Sequence, residues 1–294
     1  MEFQTLATFF ILLIATTLLP PLLDGIERKI RARIHSRIGP PTIMQTWYDI
    51  LKLFSKEIKI PRGAEAALIT IAISFVMVVC LAIVTSFTIS LALLTPYAIA
   101  LLLIFKSSLH TLTMIAASTT SNPFALIGST RLATLIAINE LGMLASVCLT
   151  MYALHQVSYD TSSSILLAIS IAMLIVAIYV ASGRLPYDVH EAEPELAAGA
   201  LIEFSGPLLG IYIYVHLAER FLLNCFASYL ILYMLLSQTG ILLGIAVISM
   251  AVLLWILFTV ISTVLGRTRI DLCLKSLSLF YTSLILVWVI AWLV

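Results

Sequence analysis

The chain has 294 residues, of which 62% are hydrophobic and 11% charged, and its mean hydropathy is +1.12. Soluble domains contain about 45–50% apolar and about 25% charged residues, so this composition excludes a soluble protein with a single core. Sixteen Lys and Arg against fifteen Asp and Glu leave a net charge of +1, which gives the chain no bias toward nucleic acid. The four cysteines stand alone in apolar runs, so we expect neither a disulfide framework nor a metal or iron–sulfur centre.

Apolar runs in chain order predict transmembrane helices, because a bilayer core about 30 Å thick needs about 20 apolar residues per helix. The runs are residues 3–23, 66–94, 97–118, 132–154, 164–182, 206–236, 240–265 and 273–294. We therefore predict an all-α polytopic protein with eight spans, forming one integral membrane domain over 1–294. The first run ends in Pro20 and Pro21, and the sixth is long enough to be tilted or broken around Glu219.

The basic residues predict the orientation of these spans. Nine of the sixteen Lys and Arg lie between the first and second spans, and the remaining loop cations also fall in odd-numbered connections. Because positive loops stay in the cytoplasm, we expect these loops to be cytoplasmic and both termini to lie outside, in a cell inner membrane.

The basic cytoplasmic loop, residues 24–65, contains a predicted surface helix. Ile43, Trp47, Ile50 and Phe54 recur at spacings of three and four, with polar residues on the opposite face. Two interpretations are open: an anchor that rests on lipid headgroups, or a docking surface for another subunit.

Ionisable residues inside the spans are candidate functional groups, because a charge in a membrane helix usually faces a protein interior or a water-filled path. Glu140 lies in the fourth span, Lys106 and His110 are four apart in the third, and His216 and Glu219 are three apart in the sixth. They predict either a buried structural pairing, such as Glu140 with Lys106, or a proton relay.

A predicted cytoplasmic loop at residues 183–205 is unusually acidic. It contains four carboxylates within eight residues, Asp188, Glu191, Glu193 and Glu195, and Glu203 follows. Carboxylates crowded together cannot all ionise at low cost, so their protonation is coupled. A solvated acidic loop is the alternative interpretation.

Seven motifs, spread in order over nearly the whole chain, form a recognisable signature. They are Glu27-Arg28-Lys29, Arg37-x-Gly39-Pro40, Asp49-x-x-Lys52, Ala125-Leu126-Ile127-Gly128-x-x-Arg131, Arg184-x-Pro186-x-Asp188-x-x-Glu191-x-Glu193-x-Glu195-Leu196-x-x-Gly199-x-x-x-Glu203, Leu217-Ala218-Glu219 and Arg267-x-Arg269-x-Asp271. The signature resembles the H subunit of NADH-quinone oxidoreductase, which is NADH dehydrogenase subunit 1 in mitochondria. The same family includes membrane subunits of energy-converting nickel–iron hydrogenases and formate hydrogenlyase. The runs Arg37-Ile38-Gly39-Pro40-Pro41 and Ser121-Asn122-Pro123-Phe124 resemble the hydrogenase form.

The resemblance implies a proton-coupling membrane subunit placed between a cytoplasmic redox arm and ion-translocating membrane subunits. The implied proton path consists of Glu140, Glu191, Glu193, Glu195, Glu203 and Glu219, to which we add Asp188 of the same acidic loop. From their positions in the spans, we expect Lys106, His110 and His216 to be relay partners. The implied contact with the redox arm is made by Arg37, Gly39, Pro40, Arg131 and Arg184.

The implied partners are hydrogenase-like or quinone-reductase-like large and small subunits, an iron–sulfur subunit and antiporter-like membrane subunits, all within the lipid bilayer. The chain itself is expected to bind no cofactor and to catalyse no electron transfer alone. The alternatives are the H subunit of a true complex I that contributes to a quinone site, a passive membrane anchor and, further from the signature, a stand-alone secondary transporter.

Overall fold

The computed structural model describes residues 2–58, 65–120, 122–155, 161–189, 199–235 and 240–293. Over these ranges the chain forms nine α-helices and no strand. The helices are α1 Glu2–Ile34, α2 Gln45–Phe54, α3 Glu65–Ser90, α4 Pro96–Ser118, α5 Pro123–His155, α6 Thr161–Ala181, α7 Pro207–Leu235, α8 Ile241–Val264 and α9 Ile270–Leu293. All except α2 are long and apolar enough to span a membrane, which confirms the predicted all-α fold with eight spans.

The first span differs from the prediction, because α1 continues through Pro20 and Pro21 to Ile34. A proline in a helix removes one N–H donor and leaves the carbonyl four residues earlier without its helical partner. The carbonyl of Thr17 is the one that Pro21 leaves open, and the hydroxyl of Tyr214 on α7 donates to it at 3.1 Å. A side chain from another helix thus replaces a bond that the proline removes.

Two other boundaries also follow from local chemistry. α4 begins at Pro96, one residue before the predicted run 97–118, with the hydroxyl of Thr95 accepting from the backbone N–H of Ala98 at 3.3 Å. α5 begins at Pro123, nine residues before the predicted start at 132, and the Asn122 side chain accepts from the N–H of Phe124. The sixth span, α7, is a single unbroken helix.

Helix α7 occupies the centre of the bundle. In its most apolar 18-residue window 78% of the residues are buried, against 17–44% in the other spans. It packs against α1, α3, α6 and α8, so side chains on α7 meet those of most other spans.

The short helix α2 packs against α1 and α7 of the same chain. A Cβ added to Gly25 of α1 would lie 1.8 Å from the carbonyl oxygen of Ile43, and one added to Gly210 of α7 would contact Leu53 and Phe54. Glycine therefore permits close approach on both sides of α2. The end of the bundle where α1 ends and where α5, α7 and α9 begin is called the basic face below.

Candidate functional site

Helix α4 carries the basic partners of two carboxylates that lie on two other helices. Lys106 of α4 forms an ion pair with Glu140 of α5. One turn along the same helix, Nδ1 of His110 lies 2.9 Å from Oε1 of Glu219 on α7. The two pairs are thus one turn apart along α4, and their four side chains, Glu140, Lys106, His110 and Glu219, are called the polar chain below.

The polar chain is buried except at one end. The side chains of Lys106 and Glu219 are 2% and 4% exposed, whereas that of Glu140 is 22% exposed. The imidazole of His110 compensates the charge of Glu219 only when it is protonated. This pair is therefore suited to holding a proton between its two members.

A small cavity borders the Glu219 end of the polar chain. Its volume is about 30 Å³, and its lining includes His110, Glu219, His216, Arg220 and Asn139. A polar cavity of this size has room for a water molecule. The ring of His216 also meets the ring of Tyr212 edge-on, at 4.5 Å between centroids. His216 thus lies in the same site as His110. The spacing of His216 and Glu219 along α7 does not predict this, because it does not say which other helix faces them.

Asn139 is a site residue that no sequence motif singles out. Its side-chain oxygen accepts from the Tyr281 hydroxyl of α9 at 2.7 Å, and its amide donates to the carbonyl of Ala177 on α6 at 3.1 Å. Its two hydrogen bonds connect α5 to α6 and to α9 at the residue next to Glu140. The only signal in the sequence is an amide inside an apolar run, which is costly to bury without partners.

At its other end the polar chain reaches the side of the bundle. Glu140 lines a groove of about 730 Å³ between α4 and α5, whose other walls are mainly apolar and include Ile99, Leu103 and Leu144. The carboxylate is therefore the main charged group in a surface that otherwise suits lipid or an apolar helix.

Arg184, which the resemblance places at the contact with the redox arm, is a buried residue of the loop after α6. Its side chain is 2% exposed, and its guanidinium binds Oε2 of Glu27 at 2.7 Å and the carbonyl of Trp255 at 3.0 Å. Burial lowers the pKa of Arg184 to about 10 and the Glu27 carboxylate opposes this shift, so the residue stays charged at neutral pH. Arg184 is enclosed by its own chain and ties the loop after α6 to α1. Its support of a contact with the redox arm remains a prediction.

The acidic loop is described only in part. Asp188 pairs with Arg267 at 2.8 Å, and Oε1 of Glu203 accepts from the amide of Asn122 at 2.9 Å. Both contacts lie at the basic face. The predicted path residues Glu191, Glu193 and Glu195 lie outside the described residues.

The remaining predicted interface residues also lie at the basic face. Arg37 is exposed, Pro40 is half-buried, and a Cβ added to Gly39 would come within 2.9 Å of that of Ala32. Arg131 of α5 lines a cavity together with residues 267–271.

Comparisons with known proteins agree with this architecture. A model of the NADH dehydrogenase family matches residues 6–293. Hydrogenase-4 component C of Escherichia coli (strain K12) is 28% identical over 206 residues, which are 66% of this chain and 65% of that protein. Formate hydrogenlyase subunit 4 of the same organism is 28% identical over 65% of this chain and 66% of its own length. The H subunit of NADH-quinone oxidoreductase from Geobacillus sp. (strain WCH70) is 28% identical over 61% of this chain and 59% of its own length.

The matched regions thus span about two thirds or less of these relatives. A solved structure shares the fold over nearly the full length. It is a chain from the membrane-bound sulfane sulfur reductase (MBS), an archaeal respiratory membrane complex, with a TM-score of 0.79 at 18% identity, covering 97% of this chain and 99% of that chain. Because the family model matches residues 6–293, almost the whole chain, this protein belongs to the NADH dehydrogenase subunit 1/H family.

Proposed function

We propose that the chain is the proton-coupling membrane subunit of a hydrogenase-type complex related to complex I, linking a cytoplasmic redox arm to ion-translocating membrane subunits. The observation that carries this proposal is the polar chain, in which two carboxylates on different helices are connected through two basic groups on α4. Charged groups placed deep in a membrane bundle are costly and are typical of ion pathways.

The polar chain provides a way to transmit charge between its ends. A proton that arrives at Glu219 is shared with His110, and the charge of this pair acts on Lys106 one turn away. Lys106 in turn forms an ion pair with Glu140, so the charges of these two groups act on each other at short range. A change in the charge of the Glu219–His110 pair therefore changes the electrostatic potential at Glu140.

The two ends of the polar chain face different surroundings, which suits a connecting subunit. The cavity at Glu219 adjoins Ser182 and Gly183, at the start of the acidic loop near the basic face. The basic face would then meet the cytoplasmic redox arm, and its iron–sulfur subunit, through residues such as Arg37. The groove at Glu140 would meet an antiporter-like membrane subunit. In this proposal the chain binds no redox cofactor itself.

Two alternatives have specific support. The NADH-quinone oxidoreductase relatives favour a complex I subunit that contributes to a quinone site, and they are as similar to this chain as the hydrogenase relatives are. A passive anchor is favoured by the pairing of Glu140 with Lys106, which neutralises both groups.

The relay and the passive anchor differ in what Glu140→Gln and Glu219→Gln do. Glutamine preserves size and hydrogen bonding but cannot titrate. For a relay, the assembled complex should keep electron transfer with an artificial donor or acceptor while ion translocation per electron in vesicles falls at least about tenfold. For an anchor, Glu140→Gln leaves Lys106 unpaired at a cost of about 3–5 kcal/mol, so assembly and thermal stability should fall instead.

The matched control is Glu57→Gln, which removes an exposed carboxylate at the basic face. It should change neither coupling nor stability. Full coupling in both Glu140→Gln and Glu219→Gln would contradict the relay.

A further inference from the structure

A hydrogen-bonded pair of side chains beside the polar chain connects α9 to the interior of the bundle. The hydroxyl of Tyr281 on α9 lies 2.7 Å from Oδ1 of Asn139 on α5, and the amide nitrogen of Asn139 lies 3.1 Å from the carbonyl oxygen of Ala177 on α6. Both side chains are buried, since Tyr281 is 4% and Asn139 is 3% exposed. Because a buried polar group is costly without partners, these two bonds hold the Asn139 side chain in place.

The partners of Asn139 determine the orientation of its amide. A backbone carbonyl can only accept, so the end of the amide that faces Ala177 is the nitrogen. The amide oxygen therefore faces Tyr281, and the tyrosine hydroxyl is the donor. An asparagine amide has two N–H groups, so Asn139 has a second N–H besides the one that binds Ala177.

The packing around Tyr281 leaves its ring little freedom. A Cβ added to Gly142 of α5 would lie 2.3 to 2.6 Å from three atoms of this ring. The ring therefore occupies the space that any larger residue at this position would fill. Glycine is destabilising inside a helix, but here it allows α9 to come close enough for Tyr281 to reach Asn139.

Asn139 also lines the cavity of about 30 Å³ at the Glu219 end of the polar chain, together with His110, His216 and Arg220. The cavity has room for a water molecule and enough polar groups to bind one. A water that accepts a hydrogen bond from an N–H directs its own O–H groups toward acceptors, such as the Glu219 carboxylate. A donor in a fixed place on the cavity wall would therefore orient that water.

We propose that Asn139 and Tyr281 are positioning residues of the polar chain. Tyr281 holds the Asn139 amide so that its second N–H donates to a water in this cavity, and the water donates to Glu219. The inference rests on the proposed function, because it names the residues that orient the contact through which Glu219 exchanges a proton. Alignment of the reacting groups before the transfer accelerates it, and neither positioning residue has to titrate.

The test compares variants of the assembled complex in vesicles. Tyr281→Phe removes the hydroxyl and keeps the ring, and Asn139→Leu removes the amide at similar volume. We expect ion translocation per electron to fall about twofold or more in Tyr281→Phe and about threefold or more in Asn139→Leu, with electron transfer to an artificial acceptor unchanged. Glu219→Gln, measured in parallel, gives the loss that follows when the proton carrier itself is removed.

The double variant Tyr281→Phe/Asn139→Leu shows whether Tyr281 acts through Asn139. If it does, the double variant should couple no worse than Asn139→Leu alone, because the hydroxyl then has no amide to orient. A purely structural role would lower Tm and leave ion translocation per electron unchanged. If Asn139→Leu does not assemble, Gly142→Ala displaces the Tyr281 ring while both polar groups remain, and it should couple like Tyr281→Phe.

The matched control is Trp292→Phe, which breaks another hydrogen bond between α9 and α5. Nε1 of Trp292 donates to the hydroxyl of Tyr152 at 2.7 Å, and Tyr152 lies about 18 Å along α5 from Glu140 at 1.5 Å per residue. This variant should leave ion translocation per electron unchanged.

Three results would overturn the inference. Full coupling in both Tyr281→Phe and Asn139→Leu, while Glu219→Gln loses coupling, would show that the pair is not needed, and the proposed function would stand. Equal losses in Tyr281→Phe and Trp292→Phe would assign the effect to the packing of α9. If Glu219→Gln keeps full coupling, the pair has no proton carrier to position, so the relay role of Glu219 fails together with this inference.

Discussion

The buried ion pair of Arg184 and Glu27 shows how single residues hold the basic face together. Glu27 lies in α1 and accepts from two arginines, the buried Arg184 and the half-exposed Arg31. The guanidinium of Arg184 also lies 4.8 Å from the centroid of the Trp255 ring. Two helices, α1 and α8, and the start of the acidic loop therefore meet at the Arg184 guanidinium.

Glu27→Gln should be strongly destabilising, because it leaves the buried Arg184 charge without its counter-ion. We expect a loss of about 3–5 kcal/mol, seen as a fall in Tm of the purified complex. Arg31→Gln removes the exposed partner of the same carboxylate and should cost less than about 1 kcal/mol.

The double variant Glu27→Leu/Arg184→Met tests the cause. It removes both charges and replaces them with apolar groups, so it should be more stable than Glu27→Gln. If the double variant is at least as unstable as Glu27→Gln, the effect does not come from an unpaired charge.

The site residues also show which contacts sequence spacing reveals. Lys106 and His110 are four apart, so their common face on α4 is predictable. The pairing of Lys106 with Glu140 is one of the two predicted alternatives, and it is observed. The contact of His110 with Glu219 is not predicted, because it joins α4 to α7 across more than one hundred residues of sequence.

At the scale of elements, glycines determine where α2 lies. The amphipathic pattern of residues 43–54 is the same for a helix on lipid and for a helix docked on protein, and the structure docks α2 on α1 and α7. Met44, Tyr48 and Leu51 remain exposed on its outer side. α2 is thus anchored by its own chain and still presents an apolar strip.

Gly25→Ala tests the close packing of α1 against Ile43, in the segment that leads into α2. Alanine favours a helix by about 1 kcal/mol over glycine, so the substitution would stabilise an isolated α1. Because its Cβ would collide with the backbone of Ile43, we expect instead a net loss of about 1–3 kcal/mol, measured as a lower Tm.

Gly266→Ala is the control, since a Cβ at Gly266 meets nothing within 4 Å. It should leave Tm nearly unchanged. A Gly25→Ala variant as stable as Gly266→Ala would contradict the close approach of α1 and α2.

At the scale of the whole molecule, the orientation in the membrane decides which partners each face can meet. We expect the basic face to be cytoplasmic, because all the loop cations lie in odd-numbered connections. A cysteine placed at the exposed Ser55 should react with an impermeant reagent only from inside, and one placed at Ser162 only from outside.

The experiment starts from a Cys148→Ser background, since Cys148 is the exposed native cysteine among the described residues. Labelling of both new cysteines from the same side would be incompatible with the helix count between them. Labelling of each from the opposite side to that expected would reverse the orientation.

The sequence by itself determined the fold class, the number of spans and the identity of the polar residues inside them. The reason is that a membrane span must be long and apolar, so the rare charges within it stand out. It did not determine where α1 ends or where α5 begins. Pro20 and Pro21 predict a boundary, yet Tyr214 from a distant helix supplies the missing hydrogen bond.

Apart from the predicted pair of Lys106 and Glu140, only the tertiary structure decided which polar groups meet. Asn139 with Tyr281, His110 with Glu219 and Arg184 with Glu27 each join side chains on elements far apart in sequence. The spacing of residues in the sequence predicts which of them share one face of a helix. Which other helix lies against that face depends on how the side chains of the whole bundle pack together, and no short segment contains that information.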